Sequence, residues 1–176
     1  LMKTPAPARP VGCTVLPPPL GPRLLAAPDS GRAGAWVPQG QRDTPGAEQV
    51  AQWTRDAAHP LLHRAADRLE RYFAGERVAF DLPLDLGAGT AFQQAVWQAL
   101  CLIEPGRTVS YGDVARAIGR PAAVRAVGAA VGANPVSVIV PCHRVMGANG
   151  SLTGYSGGLH RKVALLALES GEPRLI

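Results

Sequence analysis

Cys142 lies in the run Pro141-Cys142-His143-Arg144-Val145, a thiol with an imidazole and a guanidinium as its next neighbours along the chain. A thiol attacks carbon as the thiolate, and a nearby base or positive charge lowers the cost of losing its proton. An isolated buried cysteine is most often a small hydrophobe, so it is the neighbours that single out Cys142 as an activated thiolate nucleophile. The preceding segment, Val136-Ser137-Val138-Ile139-Val140, is apolar and reads as an extended buried stretch that delivers Cys142 from the interior. In an extended chain successive side chains point to opposite faces, so His143 reaches the sulfur only through a turn or a bridging water. Glu169 ends a helical pattern, where an acid opposes the helix dipole. Such a carboxylate either faces solvent or holds an imidazole in one tautomer as the third member of a Cys-His-acid relay.

A second group of residues suits a flat, extended ligand. In Thr153-Gly154-Tyr155-Ser156-Gly157-Gly158 the glycines permit close approach and Tyr155 offers a stacking face. Upstream, a helix over 110–118 capped by Ser110, a Gly119-Arg120-Pro121 turn and a helix over 122–131 form a helix-turn-helix outline. The second helix is nearly without bulk: Ala122, Ala123, Ala126, Gly128, Ala129 and Ala130 leave Arg125 as its one long charged side chain. Small residues equally let two helices pack inside a protein, and the outline alone does not decide between the two uses.

The elements that must position these groups fall into two halves. Residues 1–10 are rich in Pro and Ala and read as disordered. Residues 11–85 form an N-terminal α/β lobe: short apolar runs at 13–16, 23–27 and 33–37, split by Pro and Gly, read as an antiparallel meander. A helix over 59–73 places Leu61, Leu62, Ala65, Leu69 and Tyr72/Phe73 on one side, with Gly75 as its stop, and packs on that sheet. Residues 39–46 read as a flexible stretch within this lobe, 78–84 as one more strand, and 86–90 as a linker. In the C-terminal domain, 91–176, Thr90 caps a helix over 91–102 with Phe92, Val96, Ala99 and Leu100 inward. The last helix, 159–169, presents Leu159, Val163 and Leu166 on one face.

Composition narrows the class. Three cysteines at 13, 101 and 142 fit neither a disulfide framework nor a metal cluster, so no metal is expected and free thiols in a cytoplasmic setting are. No run approaches the roughly 18 apolar residues that a spanning helix needs, so the expectation is a soluble protein without a membrane partner. Of the net charge of +5, most sits in the C-terminal half, where residues 90–176 carry 8 Lys/Arg against 4 Asp/Glu. A basic surface attracts phosphate backbones, although many enzymes of small anions share this balance.

In order along the chain, Gly89-Thr90-Ala91-Phe92-Gln93-Gln94-Ala95-Val96-Trp97, Thr108-Val109-Ser110-Tyr111-Gly112, Arg125-Ala126-Val127-Gly128, Asn134-Pro135, Pro141-Cys142-His143-Arg144-Val145 and Gly154-Tyr155-Ser156-Gly157-Gly158 resemble the bacterial O6-alkylguanine-DNA alkyltransferases. The resemblance is dense from 89 to about 170 and thin over 16–37. It implies an α+β fold, with a ribonuclease H-like N-terminal lobe and a mainly helical C-terminal domain containing a DNA-binding helix-turn-helix. It implies direct reversal of damage: an O6-alkylguanine, or O4-alkylthymine, is flipped out of double-stranded DNA and its alkyl group passes irreversibly to Cys142. No cofactor is implied, and self-association along DNA is admitted. By matching positions, Glu169 and His143 form the relay with a water between His143 and Cys142. Asn134 orders the site, and Tyr111 helps rotate the target phosphate and donates a proton to the guanine. Arg125 is the finger that fills the vacated stack, on a helix whose Ala123, Ala126 and Gly128 admit it to the minor groove. Val145, Tyr155, Ser156 and Gly157 line the base pocket. Two rivals remain at this point: a lesion sensor without chemistry, against which Cys142 stands, and a small-molecule thiol hydrolase, which would have no use for the Arg125 helix.

Overall fold

The computed structural model describes residues 10–16, 23–28, 34–36, 47–51, 53–56, 58–84, 86–87 and 89–171. Of the stretches read above as disordered or flexible, 1–10 and 39–46, all but Pro10, the first residue of a strand, lie outside them. Three antiparallel strands, β1 (Pro10–Leu16), β2 (Arg23–Pro28) and β3 (Gly34–Trp36), pair in the order β1-β2-β3, with Cys13 opposite Ala26 and Leu25 opposite Ala35. Alternation along β2 covers both faces of this sheet: Leu25 and Ala27 enter the main core, and Ala26 meets Trp53 on the other side. A short helix α1 (Ala47–Ala51) precedes Trp53.

Helix α2 (Pro60–Phe73) forms where its signals predict. His59 caps it by accepting from the Leu61 amide at 3.2 Å, Pro60 occupies the first turn, and Gly75 at φ +94° turns the chain away. Leu61, Leu62, Ala65, Leu69, Tyr72 and Phe73 are its buried face and pack against the sheet. The strand expected over 78–84 is absent. Arginines of α2 take the carbonyls a partner strand would have used, Arg68 that of Ala79 and Arg64 that of Asp81, and Asp81 sits at φ +40°, outside strand geometry.

Two helices of the C-terminal half begin from side-chain caps. Thr90 and Gln93 exchange hydrogen bonds at the start of α3 (Ala91–Cys101), and Ser110 and Asp113 do the same for α4 (Tyr111–Ala117). Helix α5 is Val124–Gly132, starting two residues later than its composition suggests. The Ala123 amide is taken by Arg120 in the preceding turn, which leaves Ala122 outside the helix and Ala123 at its cap. Trp97 locks α3 to α5 through Nε1, which donates to the Ala130 carbonyl at 2.8 Å. Short parallel strands β4 (Val109–Ser110) and β5 (Val145–Met146) tie the start of α4 to the chain just after Cys142, and α6 (Leu159–Ser170) closes the domain. Among the described residues no helix is long and apolar enough to cross a membrane.

Gly89, just before α3, is packed against that helix. A Cβ there would lie 2.3 Å and 2.5 Å from the Trp97 ring, which is buried and held by its bond to Ala130. Gly89→Ala is therefore expected to destabilise the fold by about 1–3 kcal/mol through overpacking, measured as a lower midpoint in urea unfolding.

Candidate active site

The 136–140 segment is buried as expected, but it is not extended. The Val140 amide donates back to the Val136 carbonyl at 2.9 Å, and Val138 is held at φ +73°, a conformation rare for a β-branched residue. Asn134 dictates the turn. Its Oδ1 accepts from the Val136 amide at 2.8 Å, while its Nδ2 donates to the Val140 carbonyl at 2.8 Å and to Cys142 Sγ at 3.2 Å. Pro141, at φ −82° and ψ 64°, then makes an inverse γ-turn in which the Cys142 amide donates to Val140 at 2.8 Å. Cys142–Arg144 is one turn of 3-10 helix, so the three side chains fan out instead of alternating.

That fan separates their roles. Cys142 is 2 % exposed and His143 fully enclosed. The His143 ring turns to Glu169, with Nε2 at hydrogen-bond distance, 2.7 Å, from Oε1. No hydrogen-bond partner for its Nδ1 occurs among the described residues. The positive charge of Arg144, expected beside the thiol, is instead committed to Glu169: Nε lies 3.1 and 3.0 Å from the two carboxylate oxygens and Nη2 is 2.7 Å from Oε1, while Nη1 caps the Ile103 carbonyl at the end of α3. The Gly106 amide, presented by a turn at φ +83°, adds a bond to Oε2 at 3.2 Å.

Helix α6 turns the opposite way from its expected orientation. Leu159 and Val163 are about half exposed, whereas Lys162, Leu165 and Glu169 face inward. Polar groups can occupy that face because each is satisfied: Lys162 Nζ donates to the carbonyls of Val145 at 2.5 Å and Thr153 at 3.0 Å, and Glu169 collects the donors above. Lys162 and Tyr72 are site residues that apolar periodicity passes over. Tyr72, in the last turn of α2, donates its phenol proton to Glu169 Oε1 at 2.7 Å.

Burial pushes the Cys142 thiol up from its ordinary value; hydrogen bonds from Asn134 and Tyr155 and the Lys162 ammonium pull the other way without overcoming it. The free protein therefore holds a thiol, not the standing thiolate its neighbours suggest. Burial likewise pushes His143 down, helped by Arg144 and Lys162 and opposed by Glu169, so the imidazole is neutral and able to accept a proton. For Glu169, burial acts upward, but the hydrogen bonds from His143, Arg144 and Tyr72 outweigh it and hold the carboxyl well below the usual range. The result is a thiol whose next neighbour along the chain is a neutral imidazole backed by an ionised carboxylate.

Around this cluster, Val145 is fully buried on β5. Tyr155 and Ser156 are half-buried in the 153–158 loop, and Gly157 lies under the Tyr155 ring, where a Cβ would come within 2.7 Å of it. Gly157 thus makes room for Tyr155 itself. Tyr111 opens α4 with its ring facing Gly128 of α5, 4.0 Å from where a Cβ would stand. Arg125 and Ala126 are exposed on the first turn of α5, beside the exposed Val124. The structure joins Asn134 to Cys142 and Glu169 to His143, two buried pairs that adjoin at Cys142-His143, while Arg125 and Ala126 are exposed on the surface of α5, with Ala123 at its cap.

Known proteins match both halves of this chain. The 6-O-methylguanine DNA methyltransferase ribonuclease-like domain matches residues 13–86, and the DNA binding domain of the same family matches residues 91–171. A methylated-DNA–protein-cysteine methyltransferase of Methanosarcina acetivorans is 45% identical over 151 residues, 86% of this chain and 93% of that protein. One from Mycobacterium bovis is 57% identical over 117 residues, 66% of this chain and 69% of that protein. The crystal structure of Mycobacterium tuberculosis OGT in complex with DNA superposes with a TM-score of 0.81 at 44% identity, covering 94% of this chain and 96% of that one. The chain belongs to the 6-O-methylguanine DNA methyltransferase family.

Proposed function

We propose that this chain carries out its family's direct-reversal repair with Cys142 Sγ as the acceptor, on a guanine rotated out of duplex DNA and into the pocket lined by Val145, Tyr155, Ser156 and Gly157. The observation that carries the reading is the buried cluster in which Asn134 aims the Cys142 sulfur while Glu169 orients a neutral His143. His143 takes the thiol proton through Nδ1, by way of a water, and the sulfur attacks the alkyl carbon. The S–C bond forms as the C–O6 bond breaks, its electron pair withdraws into the purine, and a proton from Tyr111 leaves the base as neutral guanine. The thioether has no second nucleophile to release it, so each chain acts once. Keeping the proton on sulfur until substrate arrives is consistent with this use, since a standing thiolate would be oxidised or alkylated off target.

DNA binding is assigned to α4 and α5 as a helix-turn-helix, with the exposed Arg125 entering the stack from the minor groove. Unstacking a base costs a few kcal/mol, and an inserted guanidinium together with Tyr155 against the flipped base offsets part of it. Arg125→Ala is expected to slow alkyl transfer from O6-methylguanine duplex by about 10²-fold, equivalent to some 2–3 kcal/mol of lost flipping support. Transfer from free O6-benzylguanine should change less than about threefold, because no base need be extruded. Equal losses on both substrates would remove the finger role. A wild-type protein that treats duplex and free base alike would remove the DNA-repair reading with it.

A further inference from the structure

We propose that Tyr72, supplied by the N-terminal lobe, is a positioning residue for the alkyl transfer: its phenol pins the Glu169 carboxylate so that His143 keeps its proton on Nε2 and presents a bare Nδ1 to the Cys142 proton. The inference rests on the relay reading of Cys142, His143 and Glu169 and extends it to a helix outside the C-terminal domain. Tyr72 is 2 % exposed, and its ring is clamped between Phe73, edge-on with centroids 5.2 Å apart at 80°, and Phe80, tilted by 49° at 5.6 Å. The clamp aims the hydroxyl at the junction of the relay, 2.7 Å from Glu169 Oε1 and 3.5 Å from His143 Nε2.

Proton counting gives this placement its meaning. Nε2 and Oε1 are 2.7 Å apart, which requires a proton between them. The carboxylate is ionised and a neutral imidazole carries one ring proton, so that proton is on Nε2 and Nδ1 is the base. In the other tautomer Nε2 would be an acceptor facing an acceptor, and the phenol proton would be drawn from Oε1 toward Nε2. Burial and the Glu169 charge keep the phenol protonated, so Tyr72 remains a donor throughout. Arg144 and Gly106 hold the carboxylate from the C-terminal side, and Tyr72 holds it from the other lobe.

Removing the hydroxyl leaves more of the carboxylate's charge to favour the imidazolium, which raises the His143 pKa and withdraws the base as the pH falls. For Tyr72→Phe, the acid limb of the pH–rate profile for single turnover on O6-methylguanine duplex is expected to move up by about one unit, the rate falling about tenfold on that limb and recovering toward wild type at higher pH. A packing defect would lower the rate at every pH and leave the limb in place, which would overturn the proposal. Nitrogen-15 NMR of His143 in the wild-type protein gives a reading independent of any variant: Nε2 protonated and Nδ1 bare is expected, and the reverse tautomer would overturn it. His143→Gln and Glu169→Gln separate the two levels. If both keep the wild-type rate, the relay itself is wrong; if both lose it while Tyr72→Phe keeps the wild-type rate and limb, the relay stands and the role of Tyr72 falls.

Discussion

Incubated with excess duplex containing O6-methylguanine, the wild-type chain is expected to gain one methyl group, on Cys142, and then to stop, while Cys142→Ala transfers none, a loss of at least about 10⁴-fold. Intact-mass and peptide mass spectrometry read both results. Removing the sulfur deletes one small buried atom and leaves the surrounding turn intact, because Asn134 keeps its bonds to the Val136 amide and the Val140 carbonyl. Duplex binding by Cys142→Ala should therefore stay close to wild type, which separates loss of chemistry from loss of fold. A methyl on Cys13 or Cys101, or repeated turnover per chain, would sink the assignment of Cys142 as the acceptor. Cys101 also tests selectivity within one molecule: it is exposed at the end of α3, partial desolvation pushes its thiol up against the opposing pull of Arg144, and it has no place beside Asn134, His143 and Glu169.

Local signals in the sequence carried over into structure where they act over one turn. The capping pairs Thr90/Gln93 and Ser110/Asp113 begin their helices where expected, and the α2 stripe of Leu61, Leu62, Ala65 and Leu69 is buried as its spacing requires. The same locality explains the failures. Residues 78–84 have strand-like composition, but the competing partners are arginine side chains ten or more positions earlier. Residues 136–140 look extended because Val and Ile favour strands, whereas one side chain, Asn134, bends them back by satisfying two of their backbone groups, the Val136 amide and the Val140 carbonyl.

The site was legible in part for a related reason. The Pro141-Cys142-His143-Arg144 run and its resemblance to a known family point to the nucleophile and its base, and the structure does place His143 against Glu169. Periodicity fails on α6 because it scores apolar residues as inward, and this helix buries a lysine and a glutamate through long-range hydrogen bonds that no local window contains. Tyr72 is harder still: it is already explained as a core residue of α2, and its polar end meets Glu169 across 97 positions. Arg144 sits next to the reactive pair in sequence, but the 3-10 turn sends its charge to the carboxylate, where it keeps Glu169 ionised and so serves the base instead of the sulfur.

Glu169→Gln is accordingly expected to damage stability and chemistry together. The substitution leaves the buried Arg144 without its counter-charge, which costs about 3–5 kcal/mol, and it deprives His143 of the carboxylate that orients and balances it, which lowers alkyl transfer by about 10²–10⁴-fold. The pH dependence isolates the electrostatic part. Glu169 has a depressed pKa in the folded chain, so its stabilising contribution is complete above its ordinary value of 4.5 and is lost as pH falls below that toward the folded value. His143, also depressed, is protonated more readily in the unfolded chain, so its contribution is present above its ordinary value of 6.5 and fades as pH falls from there. Wild type should thus lose stability in two stages on acidification. Glu169→Gln should keep a stage below 6.5, because His143 then loses its one favourable partner and is charged even less readily in the fold, and should lose the Glu169 contribution to the stage below 4.5. Urea unfolding across this pH range measures both, and a variant whose acid profile parallels wild type through both stages would show that Glu169 is not the carboxylate on which the buried cluster depends.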